Sequence, residues 1–451
     1  MDFVSTMPGL HWPALPGPRA IMRLGLLHQF AATQWWPVER LASMQLRQLA
    51  ELVGHARKHS PYYARTLAHL PAQLDESAWR SIPVLKRDTV QEEKAALRST
   101  HCPQAHGGRE TIFSSGSTGK PIAVEQTTLT QLFWEAFTLR DHEWHARDVA
   151  GKLCSIRFFP DGSATPPQGG RGPNWGSATA DLVRTGPVAM LDVRSSVDQQ
   201  IAWLEREQPE YLLTHPTILD TLLRTLEDGR PLRLERLREV RTVSEALPEG
   251  LRERCRQLLG VSLTDIYSTR ETGYLALQCP EHDHYHLQAE NARIEILDAG
   301  GQPCGPGDIG RVVVTPLHNF AFPLLRYEVG DYAEVGEPCP CGRGLPVIRR
   351  ILGRQRNMLR LPDGRCHWPI LNYKAMNTIV PLRQLRMIQV ELERIEVDIV
   401  TTHRPDEATE LRLGEEIQRN LGYPFKLEFH YVDDIPRSAG GKFEDFMSRV
   451  A

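Results

Sequence analysis

The chain has 451 residues, 41% of them hydrophobic, with 53 basic against 56 acidic side chains. This length and composition predict a packed core in one large domain plus a smaller one. Balanced charge without a basic block argues against nucleic acid or a polybasic membrane contact. No run of about 18 apolar residues predicts a bilayer span.

In chain order, MDFVSTMPGLHWPALPGPRA is Pro-rich and lacks the basic-then-apolar design of an export signal. With eight cysteines, four of them far apart (Cys102, Cys154, Cys255, Cys366), the thiols are expected to be reduced and the protein cytoplasmic. Leu46, Leu49, Val53 and Ala56 recur at helical spacing until Pro61. TIFSSGSTGKPIAVEQ (111–126) follows, and then Leu129, Leu132, Phe133 and Ala136 mark a helix. REQPEYLLTHPTILDTLLRTLEDG reads as strand and helix, and RLREVRTVSEALPEGLRERCRQLLGVSLTDIYS as strand, helix, strand. That alternation predicts an α/β core with mainly parallel strands. Between residues 290 and 335 the strands alternate and Gly/Pro turns join them, which predicts an antiparallel sheet. A boundary near Gly353 precedes a small α+β unit, where Leu413, Ile417 and Leu421 share a helix face. The expected domains are therefore 1–353 and 354–451.

The stretch 111–126 is not a Walker loop. Ser114 stands where the first glycine belongs, Pro121 follows Lys120, and both flanks look extended rather than helical. Successive N–H groups and the Ser114, Ser115, Ser117 and Thr118 hydroxyls could still cradle phosphate, with Gly116 and Gly119 allowing close approach. A solvent-facing Ser/Gly hairpin explains the composition equally well.

Four motifs in order decide between these readings. SSGSTGKP, DIYSTRETG, LLRYEVGDYAEV and ILGRQRNM, the last followed far downstream by RSAGGKFEDF, resemble the adenylate-forming superfamily. The chain is most similar there to phenylacetate–CoA ligases and their capsule-biosynthesis-type relatives. The resemblance implies a large AMP-binding domain and a small mobile lid. It implies ATP-dependent activation of a carboxylic acid through an acyl-adenylate, then transfer to coenzyme A. Ser114, Ser115, Gly116, Ser117, Thr118, Gly119 and Lys120 would hold the phosphates. Glu271 would hold Mg²⁺, Tyr267 would lie beside adenine with Ser244 and Glu245, and Asp331 would accept both ribose hydroxyls, as a two-oxygen acceptor can. Arg354 would reach the ribose or phosphate near the hinge. Lys442 would bridge carboxylate and α-phosphate as charge builds. Two departures stand out: Arg270 where Thr or Ser is commoner, and Gln355-Arg356-Asn357 at the hinge without an acidic residue.

A second constellation comprises Cys279, His282, His284 and His286 in QCPEHDHYHLQAEN, with Cys339 and Cys341 in EPCPCGRG. Three thiolates and one imidazole would close a structural tetrahedral Zn²⁺ site. Cys279, Cys339 and Cys341 with His286 are the expected ligands, His286 by resemblance to relatives, and His282 is the substitute. The acid is unspecified. Trp134, Phe137 and His215 hint at an aromatic one, as core packing would also explain. Nothing in the residues forces coenzyme A as acceptor. An amine or carrier protein is the alternative, a silent nucleotide-binding protein is a further one, and a homodimer is compatible with either.

Overall fold

A computed structural model describes all residues except 1, 72, 115–120, 370, 439–440 and 451, and every side chain among those described but that of Lys374. Two compact units divide the chain, Met1–Ile351 and Leu352–Ala451.

The first unit opens with α1 (Pro18–Thr33), α2 (Val38–His59), α3 (Pro61–Thr66), α4 (Glu76–Ser81), α5 (Arg87–Glu92) and α6 (Lys94–Leu97). Helix α2 buries Leu49, Leu52, Val53 and Ala56. It ends before Ser60, whose hydroxyl accepts from Tyr63 N–H and caps α3, with Pro61 in the first turn. The proline that stops one helix therefore starts the next, where its missing N–H costs nothing. Strands β1 (Arg109–Phe113) and β2 (Ala123–Thr127) form a separate antiparallel hairpin around residues 114–122. Helix α7 (Thr128–Trp144) starts in a capping box of Thr127 and Thr130.

The remaining strands of this unit are β3 (Leu153–Arg157), β4 (Gly170–Gly172), β5 (Val188–Asp192), β6 (Tyr211–Thr214), β7 (Glu239–Val243), β8 (Ser262–Thr269), β9 (Gly273–Gln278), β10 (Tyr285–Leu287), β11 (Ala292–Leu297), β12 (Ile309–Pro316), β13 (Tyr327–Val335) and β14 (Val347–Arg354). They join in one sheet of order β11-β12-β13-β14-β10-β9-β8-β7-β6-β3-β5-β4. Strands β3, β5, β6, β7 and β8 are parallel. The antiparallel half grows from β9, which folds back on β8 through a tight turn. The two textures read from the sequence are thus two halves of one sheet rather than separate sheets. The covalent turn at Arg270–Glu271 makes β8 and β9 neighbours and leaves no edge between them.

Helices α8 (Val197–Glu207), α9 (Pro216–Glu227) and α10 (Leu251–Leu259) cover one face of the parallel half. There Cys154, Ile156, Leu191, Leu212, Val240 and Leu263 meet Leu204, Leu219 and Cys255. On the other face Phe30 and Phe137 stack at 4.5 Å and pack with Ile266, Tyr274 and Leu277. Each such buried side chain contributes about 1.5–3 kcal/mol before conformational entropy opposes it.

The second unit contains β15 (Leu359–Arg360), β16 (Cys366–His367), α11 (Tyr373–Ile379), β17 (Leu382–Glu391), β18 (Arg394–Thr401), α12 (Glu407–Leu421), β19 (Lys426–Tyr431) and β20 (Phe446–Ser448). Four strands order as β19-β18-β17-β20. Asp406 caps α12 by accepting from Thr409 N–H at 2.9 Å, and Gly422 ends it at φ +71°. The α12 face of Leu413, Ile417 and Leu421 packs on Met387, Ile395 and Val397. Among the described residues no helix is long and apolar enough to cross a membrane.

Candidate active site and metal cluster

Parallel strands in open α/β sheets present their C-terminal ends to ligands. Here β6 runs into His215, β7 into Ser244 and Glu245, and β8 carries Tyr267 toward Glu271. Ser244 adopts φ +76°, a left-handed conformation that costs a non-glycine residue about 1–2 kcal/mol. Its neighbour holds the turn in place. Glu245 Oε2 accepts from Thr217 N–H at 3.1 Å, and Oε1 lies 3.6 Å from His215 Nδ1. The Glu245 carboxylate therefore caps the positive end of α9. The sequence assigned it only to an adenine pocket.

Tyr267 and Asp331 meet directly, the phenol donating to Oδ2 at 2.9 Å. Their strands stand four places apart in the sheet order, about 19 Å if the sheet were flat. The antiparallel half must therefore curl to bring them together. A bulge does the aiming. Arg311 pairs with Tyr332 and Val313 with Glu328, so Val329, Gly330 and Asp331 face the single residue Val312. Gly330 takes φ +88° with nothing within 4 Å of a would-be Cβ, so backbone conformation alone demands glycine there.

Glu271 sits in the β8–β9 turn, which Thr269 and Thr272 pin with a hydroxyl pair at 2.7 Å. It is 7% exposed, and among the described residues no hydrogen bond or ion pair engages its carboxylate. A buried unpaired carboxylate fits a cation ligand. Gln126 of β2 donates to Arg270 O at 2.7 Å, which fastens the end of the β1–β2 hairpin beside this turn. Ser114 begins the segment the hairpin encloses. Its hydroxyl accepts from Ile122 N–H at 3.0 Å and Arg87 at 3.2 Å, so it closes the loop's base. Ser115, Gly116, Ser117, Thr118, Gly119 and Lys120 lie outside the described residues.

Lys442 belongs to the second unit, as does Arg354, the last residue of β14, within which that unit begins at Leu352. Arg354 O accepts from Trp368 Nε1 at 3.2 Å. Lys442 closes a turn with Ser438, its carbonyl accepting from Ser438 N–H at 2.8 Å and its own N–H donating to Ser438 Oγ at 3.2 Å. The segment after Gly353 joins the same unit, because Arg356 pairs with Glu444 and Asn357 donates to Phe446 O at 2.6 Å.

The cysteine and histidine segments also converge. Cys279, His284, His286 and Cys339 offer donor atoms all within 4.8 Å of one another. The Cys279 and Cys339 sulfurs are 3.8 Å apart, and Cys341 Sγ is 3.5 Å from His286 Nε2. Tetrahedral zinc with Zn–S about 2.3 Å and Zn–N about 2.0–2.1 Å requires edges of about 3.8 Å and about 3.5 Å. The donor set therefore fits the ion. Burial lowers His286 to about 3, keeping the neutral, ligating imidazole. Its Nδ1 lies 3.5 Å from Leu345 O, which leaves Nε2 toward the sulfurs. His284 replaces His282 as the additional histidine: its Nε2 is buried without a hydrogen-bond partner. The alternation His282, His284, His286 held that signal, since residues two apart share a strand face.

Comparison with known proteins agrees with this architecture. Residues 180–320 match the AMP-binding enzyme family and residues 371–448 the CapK C-terminal domain. The phenylacetate-coenzyme A ligase of Thermus thermophilus is 26% identical over 90% of this chain and 96% of its own. Protein CapK of Staphylococcus aureus is 24% identical over 40% of this chain and 43% of its own. The crystal structure of 2-hydroxyisobutyryl-CoA ligase in the postadenylation state with R3-HIB-AMP superposes with a TM-score of 0.70. It is 17% identical and covers 92% of this chain and 91% of that one. The fold is that of adenylate-forming ligases, and the two family matches support a protein of the adenylate-forming superfamily. Within it, the matched relatives support a phenylacetate–CoA ligase-like, CapK-type protein.

Proposed function

We propose that the protein activates a carboxylic acid with ATP and passes the acyl group to coenzyme A. A carboxylate oxygen attacks the α-phosphorus, the Pα–O–Pβ bond breaks, and acyl-adenylate and pyrophosphate result. The coenzyme A sulfur then attacks the acyl carbon and AMP leaves with its bonding pair. The observation that carries this reading is the bulge-aimed Asp331 carboxylate, held 2.9 Å from the Tyr267 hydroxyl beside the Glu271 turn. Asp331 receives the ribose hydroxyls, Tyr267 flanks the adenine, and Ser244 with Glu245 borders it. Ser114 stands at the start of residues 115–120, to which phosphate binding is assigned, and Arg354 approaches the ribose or phosphate edge. Lys442 neutralises charge between carboxylate and α-phosphate. Glu271 would hold Mg²⁺, which supplies positive charge to the phosphates. Similarity to ligases that form thioesters supports coenzyme A as acceptor.

Cys279, Cys339 and His286 would hold structural Zn²⁺, with His284 or Cys341 as the fourth donor. A closed four-ligand site leaves no position for substrate. Pyrophosphate release across a panel of carboxylic acids, followed by mass detection of a thioester on adding coenzyme A, tests the function. Release without thioester would replace coenzyme A by another acceptor, and no release with any acid would refute the enzyme.

A further inference from the structure

The loop that carries Cys339 and Cys341, residues 336–346, joins β13 to β14 and contains neither helix nor strand. Apart from its prolines and cysteines, Leu345 is its one apolar side chain. A stretch of this composition cannot fix itself by burial against the entropy of ordering it. It touches two things: the metal donors, and the corner of residues 34–37 that joins α1 to α2.

The loop grips that corner with three consecutive residues. Arg343 reaches over two indoles, 4.8 Å from the Trp35 ring and 4.8 Å from that of Trp144 at the end of α7. Its Nε donates to Gln34 Oε1 at 3.1 Å, and Trp144 Nε1 donates to the same oxygen at 3.0 Å. Gly344 N–H donates to Gln34 O at 2.8 Å. A Cβ on Gly344 would stand 1.8 Å from Trp36 O, so the two backbones lie closer than a side chain permits. Leu345 is buried and packs with Leu41, Ala289, Trp36 and Trp144.

The same residues meet the donor cluster. Leu345 O is 3.5 Å from His286 Nδ1, and the Trp144 ring meets the His286 ring edge-on at 5.7 Å. Arg343 pairs with Glu281, two residues after Cys279, at 3.5 Å. Thiols are weak hydrogen-bonding groups, so without an ion Cys339 and Cys341 add little to hold the chain that leads to Arg343.

We propose that the cluster is a metal-dependent latch for the α1–α2 corner. Ion binding fixes the 336–346 loop, the loop docks residues 34–37, and docking in turn tightens the hold on the ion. This rests on the reading of the cluster as a zinc site. Coupling of this kind is reciprocal: what the ion does for the corner, the corner does for the ion. Arg343 and Gly344, which donate nothing to the metal, therefore help to set its affinity.

The test compares zinc-loaded full-length protein with protein stripped by a chelator, using hydrogen exchange read by mass spectrometry. Stripping should speed exchange of the amides within residues 34–41 at least about fivefold, leave β6 and β7 unchanged, and be reversed by returning zinc. Gly344→Ala keeps every donor, yet it should raise the zinc dissociation constant, measured by competition with a chromogenic chelator, by about 5–150-fold. Arg343→Leu adds no backbone clash and should act in the same direction, so a Gly344→Ala chain that fails to fold does not end the test. Equal exchange at 34–41 with and without the ion, an unchanged zinc constant in Arg343→Leu, or faster exchange spread through the whole first unit would overturn the latch alone. Protein that takes up no zinc would overturn the metal reading and the latch with it.

Discussion

Lys442 and Asp265 illustrate two kinds of residue, one legible in the sequence and one not. The role proposed for Lys442 is read from a local motif, SAGGK. Lys442→Ala should lower acyl-adenylate formation by about 10²–10³-fold, equivalent to about 2.7–4 kcal/mol, while circular dichroism stays native. A near-native rate would remove the lysine from the reaction. Asp265 has no motif. It is buried in β8 and accepts from Thr242 Oγ1 at 2.6 Å and Tyr285 OH at 2.8 Å. Burial pushes its carboxyl up from 3.8 to about 6 despite those bonds. Between these values the folded chain keeps a proton that the unfolded chain releases. Stability from this group therefore falls as pH rises from about 4 to 6, by about 3 kcal/mol. Urea midpoints of wild type and Asp265→Asn should diverge across that window, the variant lacking the fall; parallel curves would contradict the assignment. Ser114 and Glu245 were legible as site residues but not in their loop-closing and helix-capping roles, because Arg87, Ile122 and Thr217 are remote or unmarked in the sequence.

At the scale of elements, hydrophobic periodicity located α2, α7, α9 and α12 and the alternation of strands and helices that precedes them. It could not show that β9 folds back on β8 to make a single sheet, since pairing is decided by a turn and by partners far along the chain. The β13 bulge is the clearest case of a motif with a mechanical cause. The glycine before Asp331 is required by φ +88° and not by crowding. Gly330→Ala should therefore cost about 1–2 kcal/mol through backbone strain. It should also raise KM for ATP more than KM for the acid, since Asp331 would be re-aimed. Equal changes in both constants would argue against a ribose contact.

For the molecule as a whole, composition anticipated two units, and the structure divides the chain at Ile351 and Leu352. Purified protein should carry about one zinc per chain by elemental analysis, and Cys339→Ser should bring it below about half an equivalent. Metal-free wild-type protein of full stability would eliminate the site. Sequence reading chose His286, which stands with Cys279 and Cys339, but passed over His284, because three imidazoles alternate within five residues and only the folded backbone shows which of the other two joins them.

The strands next to these metal donors, β9, β10, β13 and β14, include all three that separate Tyr267's strand from Asp331's. On the proposed reading, an ion held there would rivet the very stretch whose curl brings Tyr267 to Asp331. Stripping the ion with a chelator, or oxidising its thiols, should consequently weaken ATP capture while leaving every nucleotide-touching side chain chemically intact.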